Sequence, residues 1–292
     1  MTLSITGRCG RTGQLGLAMS SYDVSFAPAP NSVARAGLGA VASQANTPED
    51  VSQRVLAFLW EGRPAPEALA QALEGEDEAG RERSQLGVVD SAGRAAAFTG
   101  ERTLGWRGHL TGDGWAAAGN ILAGERVVAA MGETFEARAE LPLDERLIAA
   151  LEAGIAAGGD RRGQRGALLR VATGDVLSEL QIRVHERASP VAELRRLLAV
   201  CRQQSDLFAT ALEASAAIRA VLADADVEPF AGLTTYAAVE QIRGVLAARA
   251  AGTETLAKVD KLLAALPLRL DLAEQRFGDL LKVLPPAAAV NG

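Results

Sequence analysis

A chain of 292 residues with 48% hydrophobic content can enclose one large core, or a core with an appendage. Its formal charge of -6 opposes general attraction to nucleic acid, and two cysteines with two histidines supply neither a disulfide framework nor a three-histidine metal site. All three lysines (Lys258, Lys261, Lys282) fall in the last fifth of the sequence, so the earlier part has no Gly-Lys-Ser/Thr phosphate loop. No run reaches the roughly 20 apolar residues of a membrane span, and the opening has no charged, apolar and cleavable leader. A cytoplasmic protein without metal or cofactor is expected, with a small molecule rather than nucleic acid or membrane as its partner.

Strand patterning begins at once. Thr2, Ser4 and Thr6 alternate with Leu3 and Ile5, which places hydroxyls on one face and aliphatics on the other. Gly10 and Gly13 mark a turn, and Gln14–Ser20 reads as the returning strand. A Pro-bearing loop spans Asp23–Asn31, and a third strand spans Leu38–Gln44. Thr47-Pro48-Glu49-Asp50 then reads as a helix start, with a capping hydroxyl, proline at the first position and acids against the positive end. That helix runs through Val51, Val55, Phe58 and Leu59, and a second begins near Pro66.

Leu86–Asp90 and Ala95–Phe98 form a hairpin around Ser91-Ala92-Gly93, and Trp115–Gly119 is a further strand. Helices are expected over Glu125–Ala137 and Leu143–Ala157, then strands over Gly166–Ala172 and Leu180–Val184. Blocks of strands alternating with pairs of helices predict a layered α+β fold, two mainly antiparallel sheets stacked between helical layers. Composition changes near Ser189-Pro190, and the rest to Leu284 reads as helical. The division expected is a main domain over residues 1–200 and an all-α extension over 201–292, which packs on the main domain or on the partner of a homodimer.

The Met1-Thr2 opening carries a chemical suggestion of its own. Methionine is trimmed before small residues, and trimming here leaves Thr2 with an α-amine beside its γ-hydroxyl. A nucleophile and its own general base then sit on one residue.

Six stretches in order resemble an uncharacterised bacterial family with an N-terminal-nucleophile (Ntn) hydrolase-like fold, whose members have at times been labelled pilin proteins. They are Thr2-Leu3-Ser4-Ile5 with Thr12-Gly13-Gln14-Leu15-Gly16; Ala34 through Gln44; Gln85-Leu86-Gly87-Val88-Val89-Asp90; Gly108-His109-Leu110-Thr111-Gly112; Gly119 through Gly124; and Gly158 through Gly163. The resemblance covers about residues 2–200. It implies a four-layer αββα sandwich and names no substrate. Gln164-Arg165-Gly166-Ala167 departs from the family's usual basic residue, Gln, Ser and Ala at that point.

Thr2 is the candidate nucleophile, against the alternative of an ordinary edge-strand residue. A nearby cation would lower the amine's pKa, and Arg35, then Arg8, are the candidates. Asn120, between a glycine and a small apolar run, is the candidate oxyanion donor, or else a turn cap. Candidate substrate contacts are Ser4, Arg8, Ser43, Gln44, His109, Asp160 and Arg161, with structural ion pairing the alternative for the last two. Hydrolysis of a small amide, ureide or lactam through an acyl-enzyme on Thr2 is the function expected; a non-catalytic binding or scaffold protein with the same fold is the alternative.

Overall fold

The structure is a computed structural model that describes residues 2–24, 31–173, 180–203 and 257. By its contacts the chain divides into two units, Met1–Leu198 and Ala199–Gly292. The first is mixed α and β. One sheet of six strands has the order β10-β9-β2-β1-β8-β7, and one of four has the order β3-β4-β5-β6. Every strand pair is antiparallel.

The strands of the larger sheet are β1 (Thr2–Arg8), β2 (Leu15–Ser21), β7 (Trp106–Gly112), β8 (Trp115–Leu122), β9 (Gly166–Ala172) and β10 (Leu180–Val184). Those of the smaller are β3 (Val33–Arg35), β4 (Gly39–Ala45), β5 (Ser84–Asp90) and β6 (Ala95–Thr99). Helices α1 (Glu49–Trp60) and α2 (Ala65–Glu74) pack on the smaller sheet, and α4 (Glu125–Ala137) and α5 (Leu143–Ala156) on the larger. A short α3 (Glu78–Glu82) precedes β5. The two sheets face each other through β1, β2 and β8 on one side and β3, β4 and β5 on the other.

Period-two alternation assigns the faces. On β1, Leu3 turns toward α5, where a Cβ on Gly154 would lie 3.2 Å from its Cδ1. Thr2, Ser4 and Thr6 therefore point between the sheets, all buried. Gly87 on β5 lies opposite them: an added Cβ would sit 3.0 Å from Thr6 Oγ1 and 3.4 Å from the Ala116 side chain. The sheets meet over small residues and aliphatics, with Leu17, Met19, Ala42 and Leu168 in one cluster and Leu15, Ala34, Ala40, Val89, Ala116 and Ala172 in another.

On the outer face of the smaller sheet, Val41, Leu86 and Val88 pack against Val51, Val55 and Leu59 of α1 and Ala68, Leu69, Ala72 and Leu73 of α2. The four-residue repeat of Val51, Val55 and Leu59 makes that stripe.

Several expectations need correction. Thr47 does not cap α1: the N-cap is Pro48 without a side-chain bond, and the Thr47 hydroxyl donates to the Gln44 carbonyl at 2.6 Å and accepts the Gln85 N–H at 2.9 Å. Gly108 to Gly112, which the sequence pattern does not mark as a strand, belongs to β7; ladder bonds to β8 hold it extended where its glycines and polar residues hide the alternation. Val33–Arg35 is a strand too short to register as a pattern. Residues 190–203 are helical. The helices expected beyond them lie outside the described residues, apart from helical Ala257. No helix among the described residues is long and apolar enough to cross a membrane.

Candidate active site at the Thr2 end of the sheets

Thr2 opens β1, one of the two central strands of the larger sheet. It pairs with Ser21 on β2, and one position beyond the Leu3–Gly119 pair, on β8, stands Asn120. Cross-strand neighbours share a face, so Thr2, Ser21 and Asn120 form a row directed between the sheets. Thr2 is fully buried, and its Oγ1 has no hydrogen-bond partner. An unpartnered buried hydroxyl costs about 1–3 kcal/mol, so the fold carries a penalty at this position.

Asn120 is aimed by a defect in the ladder. Trp106 pairs with Leu122 and Arg107 with Asn120, which leaves Ile121 as an extra residue on β8. Ile121 has φ +51°, a left-handed conformation that a β-branched residue adopts only under constraint. The constraint is visible: its N–H donates to the Leu104 carbonyl at 3.0 Å, and its carbonyl accepts the Arg161 N–H at 3.1 Å. Ala45, at the end of β4, has φ +58°. Two non-glycine residues in this region flank one cleft, an association typical of functional sites.

The cleft is a cavity of about 70 Å³ lined by Ala45, Asn46, Arg83, Arg102, Thr103, Leu104 and Asn120. Beneath it a set of amides is joined by hydrogen bonds. Asn120 Nδ2 donates to Gln85 Oε1 at 2.6 Å, and Gln44 Nε2 donates to the same oxygen at 2.8 Å. Gln85 Nε2 donates to the Gly119 carbonyl at 2.8 Å and to Thr99 Oγ1 at 2.9 Å. Thr99 Oγ1 lies 2.9 Å from Nδ1 of exposed His109, a hydrogen bond whose direction follows the imidazole tautomer. The chain His109–Thr99–Gln85–Asn120 thus runs from solvent to the neighbour of Thr2. Gln44 Oε1, also buried, has no partner.

The candidate residues do not all converge. Ser4 lies on the same face as Thr2, and Gln44 on the facing sheet joins the amide network. Ser43 shares the parity of Val41 and stands opposite Leu86, so it points to the helical side of its sheet. Arg8 is six residues along β1 from Thr2, about 20 Å in an extended strand, and its N–H bonds the Gly114 carbonyl. Arg35 pairs with Gly39, whose other partner is Asp90, and so belongs to that same far end. Neither arginine accompanies Thr2; local sequence could not reveal this, because the end of the sheet at which a residue falls depends on strand direction.

Asp160 pairs with an arginine, but with Arg162: Nε to Oδ1 is 3.1 Å and Nη2 to Oδ2 is 2.9 Å. That guanidinium also stacks 4.5 Å from the Tyr22 ring centroid, whereas the Arg161 side chain is exposed. The sequence pattern does not mark Gln85, Thr99, Arg83 or Arg102 as site residues. For Gln85 a signal existed: it is a lone amide opening an apolar strand.

At the opposite end of the sheets, the buried Asp90 carboxylate accepts from the backbone N–H groups of Ala65 (3.0 Å), Ala92 (2.9 Å) and Arg94 (3.0 Å) and from Arg94 Nε (2.7 Å). Burial alone would raise its pKa; the Ala65 N–H and the Arg94 contacts outweigh that and hold it below the ordinary aspartate value.

Residues 2–194 match the model of a family of unknown function, DUF1028. Among solved structures, the chain is similar to the crystal structure of protein SPO2555 from Silicibacter pomeroyi, described under the same family, with 29% identity and a TM-score of 0.61. The match covers 68% of this chain and 84% of that one. No curated protein matches the chain. With the family model spanning about two thirds of its length, the chain belongs to the DUF1028 family of unknown function.

Proposed function

We propose that this protein is an Ntn-type amidohydrolase whose nucleophile is Thr2, freed at its amine by removal of the preceding residue, and that its main unit is an αββα sandwich of the Ntn kind. Two facing antiparallel sheets, each covered by a helix pair, support the fold assignment. The observation that carries the chemistry is the buried, unpartnered Thr2 hydroxyl at the head of β1, next to an amide aimed by a strained bulge.

In the reaction, Thr2 Oγ attacks the carbonyl of a small amide, ureide or lactam while its proton passes to the α-amine. The C–O bond forms as the carbonyl π pair moves to oxygen. Asn120 keeps one of its two Nδ2 protons for that oxyanion, since the other is engaged by Gln85. The amine returns the proton to the leaving nitrogen, the C–N bond breaks, and a Thr2 ester remains. Water then attacks the ester, the amine takes and returns a proton in the same way, and the acid leaves. Arg8 and Arg35 have no part in this scheme.

Intact-mass analysis of the purified protein, followed by a carbonyl-directed covalent probe, tests the proposal. A mass lacking Met1 and a single adduct on Thr2 are expected. A retained N-terminal extension with unchanged turnover would end it. The complete burial of Thr2 favours a second reading, in which the fold is kept as a non-catalytic binding or scaffold protein; an inert, unprocessed N-terminus is its expected outcome.

A further inference from the structure

We infer that the cleft beside Asn120 is a carboxylate-binding site built from Arg83 and Arg102, and that the substrate is a small amide carrying a carboxylate. The amide half of this statement rests on the proposed hydrolase function; the carboxylate site stands on its own geometry.

Both arginines line the cleft, and among the described residues neither guanidinium has an ion pair or hydrogen bond. Other arginines of the main unit are paired with acids, as Arg54, Arg63, Arg94, Arg107, Arg126, Arg162 and Arg165 are, whereas Arg83 and Arg102 are exposed and unpaired at the cleft. The acids nearest in sequence to Arg83 and Arg102 are committed elsewhere. Glu82 Oε2 accepts the Glu101 N–H at 2.8 Å, and Glu101 pairs with Arg107 at 2.6 Å.

The backbones that carry the two heads are held in place. Arg83 ends α3, with its N–H on the Gly80 carbonyl (3.3 Å) and its own carbonyl accepting the Asn46 N–H (3.2 Å). The Arg102 N–H donates to the Glu82 carbonyl at 2.8 Å. The two segments can lie this close because residue 100 is glycine: a Cβ there would stand 2.3 Å from the Glu82 carbonyl oxygen. Two planar donors on fixed backbone, with no acid between them, match the fork of a carboxylate.

A phosphoryl group is the less suitable occupant. Phosphate sites gather free backbone N–H groups at a helix N-terminus or in a nest. Here the N–H groups of Asn46, Arg83, Arg102 and Thr103 are all spent on carbonyl oxygens. Side-chain donors are what the cleft offers: two guanidiniums at the rim and the buried Asn120 amide on its floor. Leu104, 64% exposed, adds an apolar wall suited to a short carbon chain.

Titration calorimetry on the full chain tests the site, with the monoamide of butanedioic acid as ligand and its uncharged diamide and inorganic phosphate as comparisons. The monoamide should bind saturably in the millimolar range or tighter, the diamide and phosphate not. The double variant Arg83→Gln, Arg102→Gln should weaken monoamide binding by about tenfold or more, the loss of charge-assisted hydrogen bonds. Arg81→Gln, an exposed arginine outside the cleft, should leave it unchanged. No saturable monoamide binding, equal binding of the diamide, preference for phosphate, or an unaffected double variant would each overturn the carboxylate site. If binding needs both arginines while Thr2→Ala keeps its turnover, the site stands and the Thr2 chemistry falls.

Discussion

The space between the two sheets has two ends, and they are built in opposite ways. At the far end, Asp90 saturates its carboxylate with three backbone N–H groups and one guanidinium, and so ties the start of α2 to the β5–β6 turn. At the Thr2 end, two buried polar atoms, Thr2 Oγ1 and Gln44 Oε1, have no partner, and Ala45 and Ile121 are held in left-handed backbone. The same strands run through both ends, so the difference is not one of secondary structure. The far end saturates its buried carboxylate and has Arg8 Nε as its unpartnered buried atom; the Thr2 end gathers two unsatisfied atoms and two strained residues beside an open cleft, as functional sites do.

Substitutions at the two ends should separate function from stability, and the largest effect is expected at Thr2. Thr2→Ala should reduce turnover by about 10³-fold or more, with a melting curve shifted by less than about 1 kcal/mol because no hydrogen bond is lost. Thr2→Val sharpens the contrast. A methyl replaces the unpartnered hydroxyl, so the protein should become more stable by up to about 1 kcal/mol while losing activity. A large destabilisation by Thr2→Val would show that the hydroxyl is satisfied after all, and the two ends would no longer differ in kind.

Asp90→Ala should do the reverse, at a cost of about 2–4 kcal/mol in denaturant unfolding from the N–H groups left behind, with little change in kcat of the folded protein. The pH dependence has a definite sign. A carboxyl whose folded pKa is depressed stabilises the fold above the ordinary aspartate range, and this is lost as pH falls through the lowered value. The stability gap between wild type and Asp90→Asn should therefore be full at neutral pH and close in acid. A gap that widened on acidification would contradict the assigned hydrogen bonds.

Gln85→Leu should cost about 2 kcal/mol, since the amides of Gln44 and Asn120 lose their shared acceptor. In an active enzyme it should lower kcat by about tenfold with little effect on KM, as expected of a residue that positions Asn120. The smallest effect belongs to Ala45→Gly. Glycine accepts φ +58° without strain, so a gain of about 0.5–1 kcal/mol is expected. Destabilisation by this change would mean that the cleft is not strained at Ala45.

Much of the fold is legible in the sequence. The alternation of Thr2-Leu3-Ser4-Ile5-Thr6 put hydroxyls on one face of β1, and the structure places that face between the sheets. The repeat of Val51, Val55 and Leu59 marks α1, and Gly158 and Gly159, at φ +120° and +53°, follow the end of α5. Thr2 and Asn120 stood out as residues and proved to be neighbours on adjacent strands. Hydroxyl–aliphatic alternation and helical repeats are local, and they survive into the folded state because each element needs one apolar face to bury.

What local pattern could not supply was the company each residue keeps. Arg35 and Arg8 looked as suitable for Thr2 as any cation, yet strand direction carries both to the other end. Gln85 meets Asn120 across 35 positions of sequence, and the bulge that aims Asn120 exists only because Trp106 and Arg107 skip Ile121 in pairing. Arg83 and Arg102 read as ordinary surface charge until the turn at Gly100 brings their segments together. Composition and periodicity determine which face a side chain takes; register, strand direction and bulges, settled by long-range hydrogen bonding and packing, decide which faces meet and hence where the chemistry can lie.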